Sequence, residues 1–189
     1  SINLNGEWTR QIGQDNRIFF GALVGINRYS DILIYPLIDR SLPKVSSGSS
    51  VLSSKFWGVS AGWQRALGGA MQPVFSLGVN YIEEDNERGR PDYSLDRFGV
   101  RFGIALTPAP KWGLSGGLGY QKADYSRNFF GFATARRDKL WFADMLLTYY
   151  VDRNLSIRLE SAYSKQCSNI GLYDYDRAVV AIKARYDFK

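Results

Sequence analysis

The chain has 189 residues, enough for one domain and short for two, with 22% charged and 45% hydrophobic residues. Its net charge of +6 does not mark a nucleic-acid binder, because the basic residues are dispersed among acidic ones. It has no histidine, which removes Ser-His-Asp and Cys-His catalysis, most zinc sites and the histidine-dependent outer-membrane lipases, deacylases and omptin-type proteases.

Period-two alternation recurs along the chain, interrupted by turns and by one long irregular stretch. The first predicted strand, Ile2–Ile12, sets Ile2, Leu4, Gly6 and Trp8 against Asn3, Asn5, Glu7 and Thr9. A turn at Gly13–Asn16 leads to 18–29, with Phe20, Ala22 and Val24 opposing Phe19, Gly21, Leu23 and Gly25. Residues 30–54 read as a long loop or plug insertion, where Pro36 argues against a central strand. An additional strand over 32–38 would raise the count to ten. Alternation resumes from Lys55, with Trp57, Val59 and Trp63, and again with Phe75, Leu77, Val79 and Tyr81. Phe98 to Leu106 gives the clearest pattern, with Arg97, Gly99, Arg101 and Gly103 on its other face. Trp112 to Gln121, Trp141 to Tyr150, Leu155 to Ser164 and Arg177 to Phe188 repeat it.

These segments have the length of outer-membrane strands, about 9–13 residues. Short turns alternate with longer connections, as on the two sides of such barrels. The apolar faces end repeatedly in Trp or Tyr, where interfacial girdles belong. Aromatics at 15% and 19 glycines suit strands with rings on one side and little bulk on the other. No apolar run approaches the roughly 18 residues of a spanning helix. Ser1 looks like a processed or truncated start, without a signal peptide. The expectation is all-β: one antiparallel transmembrane β-barrel domain of the bacterial outer membrane over residues 1–189, with about 9–10 strands, alone or as the C-terminal part of a larger barrel. A soluble sandwich or lipocalin-like barrel also alternates, but it needs an apolar core and a polar outside.

Ser168-Asn169-Ile170-Gly171-Leu172-Tyr173-Asp174-Tyr175-Asp176-Arg177, Arg136-Arg137-Asp138 and the closing Arg185-Tyr186-Asp187-Phe188 resemble the C-terminal barrel of surface lipoprotein assembly modifiers. The resemblance is strongest over residues 95–189. Those proteins join a periplasmic tetratricopeptide domain to an outer-membrane barrel, and no such helices occur in this sequence. The hairpin also recurs in other outer-membrane barrels, including exopolysaccharide-associated ones. The resemblance implies translocation or display of a surface lipoprotein or other exported polymer.

Three groups of candidate residues follow. The predicted inner face collects Arg97, Arg101, Asp144, Arg158, Glu160, Lys183 and Arg185, as lumen ion pairs or the wall of a conduit. The closing hairpin contributes Ser168, Asn169, Ile170, Tyr173, Asp174, Tyr175 and Arg177; Asp174 or Asp176 is expected to pair with Arg177 or a neighbouring arginine. Tyr186 and Phe188 resemble the terminal aromatic signal read by the barrel assembly machinery. Asp144 and Glu160 raise glycoside hydrolysis only weakly, since neighbouring lumen charges are commoner than catalytic pairs. The inner glycines are expected to leave space inside the barrel. Cys167 has no partner thiol, so it excludes an internal disulfide framework. No enzyme activity, cofactor, metal or nucleic-acid partner is expected. The expected partners are outer-membrane lipids, the assembly machinery and an exported substrate. A plugged binding barrel and a small passive pore are the alternatives.

Overall fold

The computed structural model describes residues 2–27, 53–86, 91–128 and 132–188. Among these residues nine strands follow one another: β1 (Ile2–Ile12), β2 (Asn16–Asn27), β3 (Ser54–Ala66), β4 (Val74–Asp85), β5 (Leu95–Leu106), β6 (Trp112–Asn128), β7 (Ala135–Tyr150), β8 (Leu155–Ser168) and β9 (Tyr175–Tyr186). Each pairs antiparallel with its sequence neighbour, so the sheet is a simple meander. Single 3-10 turns, Pro91–Tyr93 and Gly171–Tyr173, precede β5 and β9. The expected loop or plug over 30–54 lies outside the described residues except at its end, where Ser54 opens β3 opposite Asn27.

Register converts the alternation into two continuous faces. The alternation read from the sequence stops at Gln121 and resumes at Trp141, yet β6 and β7 carry their pairing further, to Asp124 opposite Arg137 and, past a bulge, Asn128 opposite Ala135. The connections at 13–15, 67–73, 107–111 and 151–154, three to seven residues long, lie at one end of the sheet, and the remaining ones, six to 26 residues long, lie at the opposite end. In outer-membrane barrels short turns are periplasmic and longer loops extracellular.

Burial is distributed the opposite way from a soluble protein. Every buried strand residue lies on the glycine-rich polar face, among them Ser54, Leu95, Thr148 and Ser156. Large apolar side chains crowd the other face and stay open: Phe20 is 51% exposed, Trp57 46% and Trp141 58%. A soluble sandwich would bury that second face. Two aromatic rows bound it. One holds Trp57, Tyr81, Tyr120, Trp141 and Tyr163 towards the long connections; the other holds Trp63, Phe75, Trp112, Tyr149 and Tyr186 towards the short turns. Rings meet across strands within each row, Trp57 with Tyr81 at 5.6 Å and Trp112 with Tyr149 at 4.7 Å. Trp141 and Tyr149 are eight residues apart on β7. That is about 27 Å along the strand and roughly 20 Å once tilted by 40°, close to an outer-membrane apolar band.

Among the described residues the sheet is not closed: β1 and β9 are its two edges. Both run from the long-connection end to the short-turn end, so pairing them directly would be parallel in an otherwise antiparallel sheet.

Candidate functional site

The polar face of β5–β9 gathers the charges that the sequence singled out. Arg97 and Arg101 on β5, Asp144 on β7, Arg158 and Glu160 on β8, and Lys183 and Arg185 on β9 all fall on it. Arg101 Nη2 reaches Asp144 Oδ1 at 2.5 Å, from β5 across β6 to β7. The guanidinium crosses directly above Gly117, where a Cβ would sit 2.8 Å from Nη2, and its Cζ lies 5.5 Å from the Phe142 ring centre. A side chain at 117 would push that guanidinium aside. Lys183 Nζ meets Glu160 Oε2 at 2.5 Å, and Arg185 Nε meets Asp187 Oδ1 at 2.9 Å. These pairs are half open to solvent, so each adds only about 0–1 kcal/mol. Arg97 and Arg158 differ: the Nε of each is buried and has no hydrogen-bond partner among the described residues.

The wall has a sign. On β5–β9 it carries Arg97, Arg101, Arg136, Arg158, Arg177, Lys183 and Arg185 against Asp138, Asp144 and Glu160, seven cations to three anions. Arg158 stands directly opposite Lys183, a like-charge pair that a bound anion would relieve. Asp144 and Glu160 each have their own cation, which is ion-pair geometry rather than a shared carboxylate site.

The inner glycines do not simply leave empty space, as the sequence suggested; several lie beneath a neighbour's side chain. The Phe19 ring occupies the place of a Gly62 side chain, Phe56 that of Gly25 and Phe142 that of Gly119. An aromatic ring laid over a cross-strand glycine fixes register.

At the long-connection end, the hairpin motif forms a latch. Arg136 and Asp138, exposed by only 10% and 7% at their side chains, pair through two nitrogens, Nη2 to Oδ2 at 2.6 Å and Nε to Oδ2 at 2.9 Å. The Arg136 guanidinium lies 3.4 Å from the Tyr173 ring centre and 4.8 Å from that of Tyr125. Asn169 extends the β7–β8 ladder by one rung. Its N–H donates to the Arg137 carbonyl at 3.1 Å, its Oδ1 accepts the Arg137 N–H at 2.7 Å, and its Nδ2 donates to the Ala135 carbonyl at 2.8 Å. Asp174 Oδ1 accepts the Ser168 N–H at 2.5 Å, Ser168 Oγ accepts the Ile170 N–H at 3.2 Å, and Ile170 is 3% exposed.

The expected pairing of Asp174 or Asp176 with an arginine is therefore replaced. Asp174 takes a backbone donor, and Asp176 accepts the Tyr163 hydroxyl at 3.4 Å. A carboxylate within reach of an unpaired strand-end N–H is satisfied locally before a longer side chain is ordered. Tyr175 and Arg177 open β9 on the inner face, exposed. Tyr186 ends β9 on the apolar face, and Phe188 follows it, 89% exposed, with their rings edge to face at 4.9 Å. Sequence reasoning missed the roles of Tyr125 and Gly117. A glycine pair, Gly116-Gly117, beside a charge-bearing strand was the available signal for the second.

Polar and glycine residues inside, apolar residues outside and two aromatic girdles define a transmembrane β-barrel wall of the porin type. Residues 81–188, over half of the chain, match the family described as Putative beta-barrel porin 2, and the chain belongs to that family. The match does not single out surface lipoprotein assembly modifiers. No curated protein and no solved structure gives a match.

Proposed function

We propose that the chain forms the wall of an outer-membrane conduit whose cationic arc, β5–β9, favours anionic solutes or an anionic exported polymer. The excess of seven cations over three anions on the inner face of β5–β9 supports this most, together with the unsatisfied Nε atoms of Arg97 and Arg158. We read the protein as non-enzymatic, engaging the assembly machinery through Tyr186 and Phe188. Antiparallel closure needs a further strand, or an odd number of them, between β9 and β1. Delivery of a surface lipoprotein is the finer reading that the hairpin resemblance implies. It rests largely on Ser168, Asn169, Tyr173 and Asp174, whose observed contacts hold the hairpin itself. Tyr175 and Arg177 are the hairpin residues left open to a substrate.

The test is reversal potential of the full-length protein in planar bilayers under a salt gradient. Anion preference is expected, falling towards neutrality in Arg97→Gln with Arg158→Gln. Cation preference would overturn the reading. A well-assembled barrel without conductance would also do so, in favour of a plugged barrel with ligand-binding loops.

A further inference from the structure

The outer face of β6–β8 carries an arrangement that a conduit does not require. Two confluent apolar grooves, of about 530 and 420 Å³, run along it and share Phe102, Leu118, Ala143 and Tyr163. The lower one deepens at Gly116, and the upper one reaches the girdle at Tyr120 and Trp141. Each of the three strands then places a lysine as the next outward residue beyond its girdle aromatic: Lys122 after Tyr120, Lys139 before Trp141 and Lys165 after Tyr163. Lys122 stands directly opposite Lys139, and Lys165 opposite Trp141, diagonal to Lys139. Like charges in such positions repel across a distance of about 5 to 8 Å. Lys122 is paired with Asp124 at 2.5 Å, and Arg137 is 3.9 Å from the same carboxylate. No ion pair is recorded for Lys139 or Lys165 among the described residues. With Asp176 counted, this sector holds four cations to two anions.

The neighbouring sector has the reverse sign. On β3–β5 the outward charges at the same end are Lys55 against Glu83, Asp85 and Asp96. Two of those acids accept from the girdle itself, Glu83 from Trp57 Nε1 at 3.1 Å and Asp96 from the Tyr81 hydroxyl at 3.2 Å. An anionic headgroup is repelled there and attracted over β6–β8. We propose that the outer face of β6–β8 docks a phosphorylated, multiply acylated lipid of the outer leaflet, its phosphate on Lys122, Lys139 and Lys165 and its chains in the two grooves. The grooves lie inside the apolar band, where the occupant's tails must be hydrocarbon, and the lysines lie where a headgroup sits.

Native mass spectrometry of the delipidated full-length protein tests this, using bisphosphorylated lipid A, its dephosphorylated form and inorganic phosphate. The combined Lys122→Gln, Lys139→Gln and Lys165→Gln variant should weaken lipid A binding roughly 100-fold. The dephosphorylated lipid should bind wild type no better than lipid A binds that variant. Ala143→Leu, which fills the shared part of the grooves from the lipid side, should weaken retention while heat-modifiable mobility and conductance stay as in wild type. Equal retention of both lipids, an unchanged affinity in either variant, displacement of the lipid by phosphate alone, or a dimer that shields the grooves instead would each overturn the proposal.

Discussion

The inner faces of β1–β4 and β5–β9 obey the same alternation and do different things. In the first, the charged positions on the inner face are Glu7, Arg17 and Glu84, and the glycines Gly25 and Gly62 lie under Phe56 and Phe19. In the second, cations dominate, and Gly117 gives passage to the Arg101–Asp144 bridge. Glycine on a barrel wall thus works through what its neighbour lays across it. A ring makes that stretch of wall a packed scaffold; a guanidinium makes it a charged surface facing the lumen.

The latch gives the largest test, because it belongs to the second region alone. Arg136→Ala leaves Asp138 buried without its cation, at a cost of about 3–5 kcal/mol. Heat-modifiable mobility should shift to lower temperature, whereas Arg17→Ala in the first region should leave it unchanged. The outer faces, by contrast, should not distinguish the regions. Val79 on β4 and Met145 on β7 both sit between the girdles. Arg at either should cost about 2–4 kcal/mol, measured by urea unfolding in bilayers. A cost confined to one of them would remove the other half from the membrane.

Filling one glycine in each region separates scaffold from surface. Gly62→Val must displace Phe19 and crowd the Leu77 carbonyl, and Gly117→Val must displace Arg101 and crowd the Phe102 carbonyl. Each should cost about 1–3 kcal/mol. Gly117→Val alone should change ion selectivity, because it alone moves a charge. Equal selectivity changes in both would erase the distinction between the two regions.

Much of this was legible in the sequence because strand period and membrane polarity act on single residues. The nine strands, the short turns and both girdles follow from alternation that any one strand displays. Ladder ends were less legible: β6 continues through charged Lys122 to Asn128, since antiparallel pairing with β7 stabilises a polar strand that hydropathy reads as loop. Site geometry was least legible. Arg101 meets Asp144 two strands away, and Asp174 prefers a backbone N–H six residues away to an arginine; both depend on register, which alternation alone leaves open. The added rung at Asn169 should be visible as a smaller loss. Asn169→Ala removes three hydrogen bonds made by its side chain, one of them a long 3.5 Å contact to Thr134 Oγ1, costing about 1–2 kcal/mol and freeing the Arg137 amide to exchange.

The smallest expected effect compares the turns that close the two regions. The first turn rests on Gly13 at φ +68, a backbone conformation that glycine adopts without strain. The turn at 151–154 rests on Asp152, whose carboxylate accepts the N–H of Asn154 at 2.7 Å and of Leu155 at 2.9 Å. The Asn154 and then the Leu155 amide hold that carboxyl below its ordinary range. A lowered acid pKa stabilises the turn above the unfolded-state value, and the contribution is lost as pH falls through the folded one. Amide exchange at Asn154 and Leu155, corrected for its intrinsic pH dependence, should therefore accelerate only below the usual carboxylate range, whereas Gly13→Ala should loosen the first turn at every pH. Asp152→Asn keeps an acceptor oxygen in place, so the turn should persist and its acid step vanish. A step that survives in Asp152→Asn would assign the titration to another group.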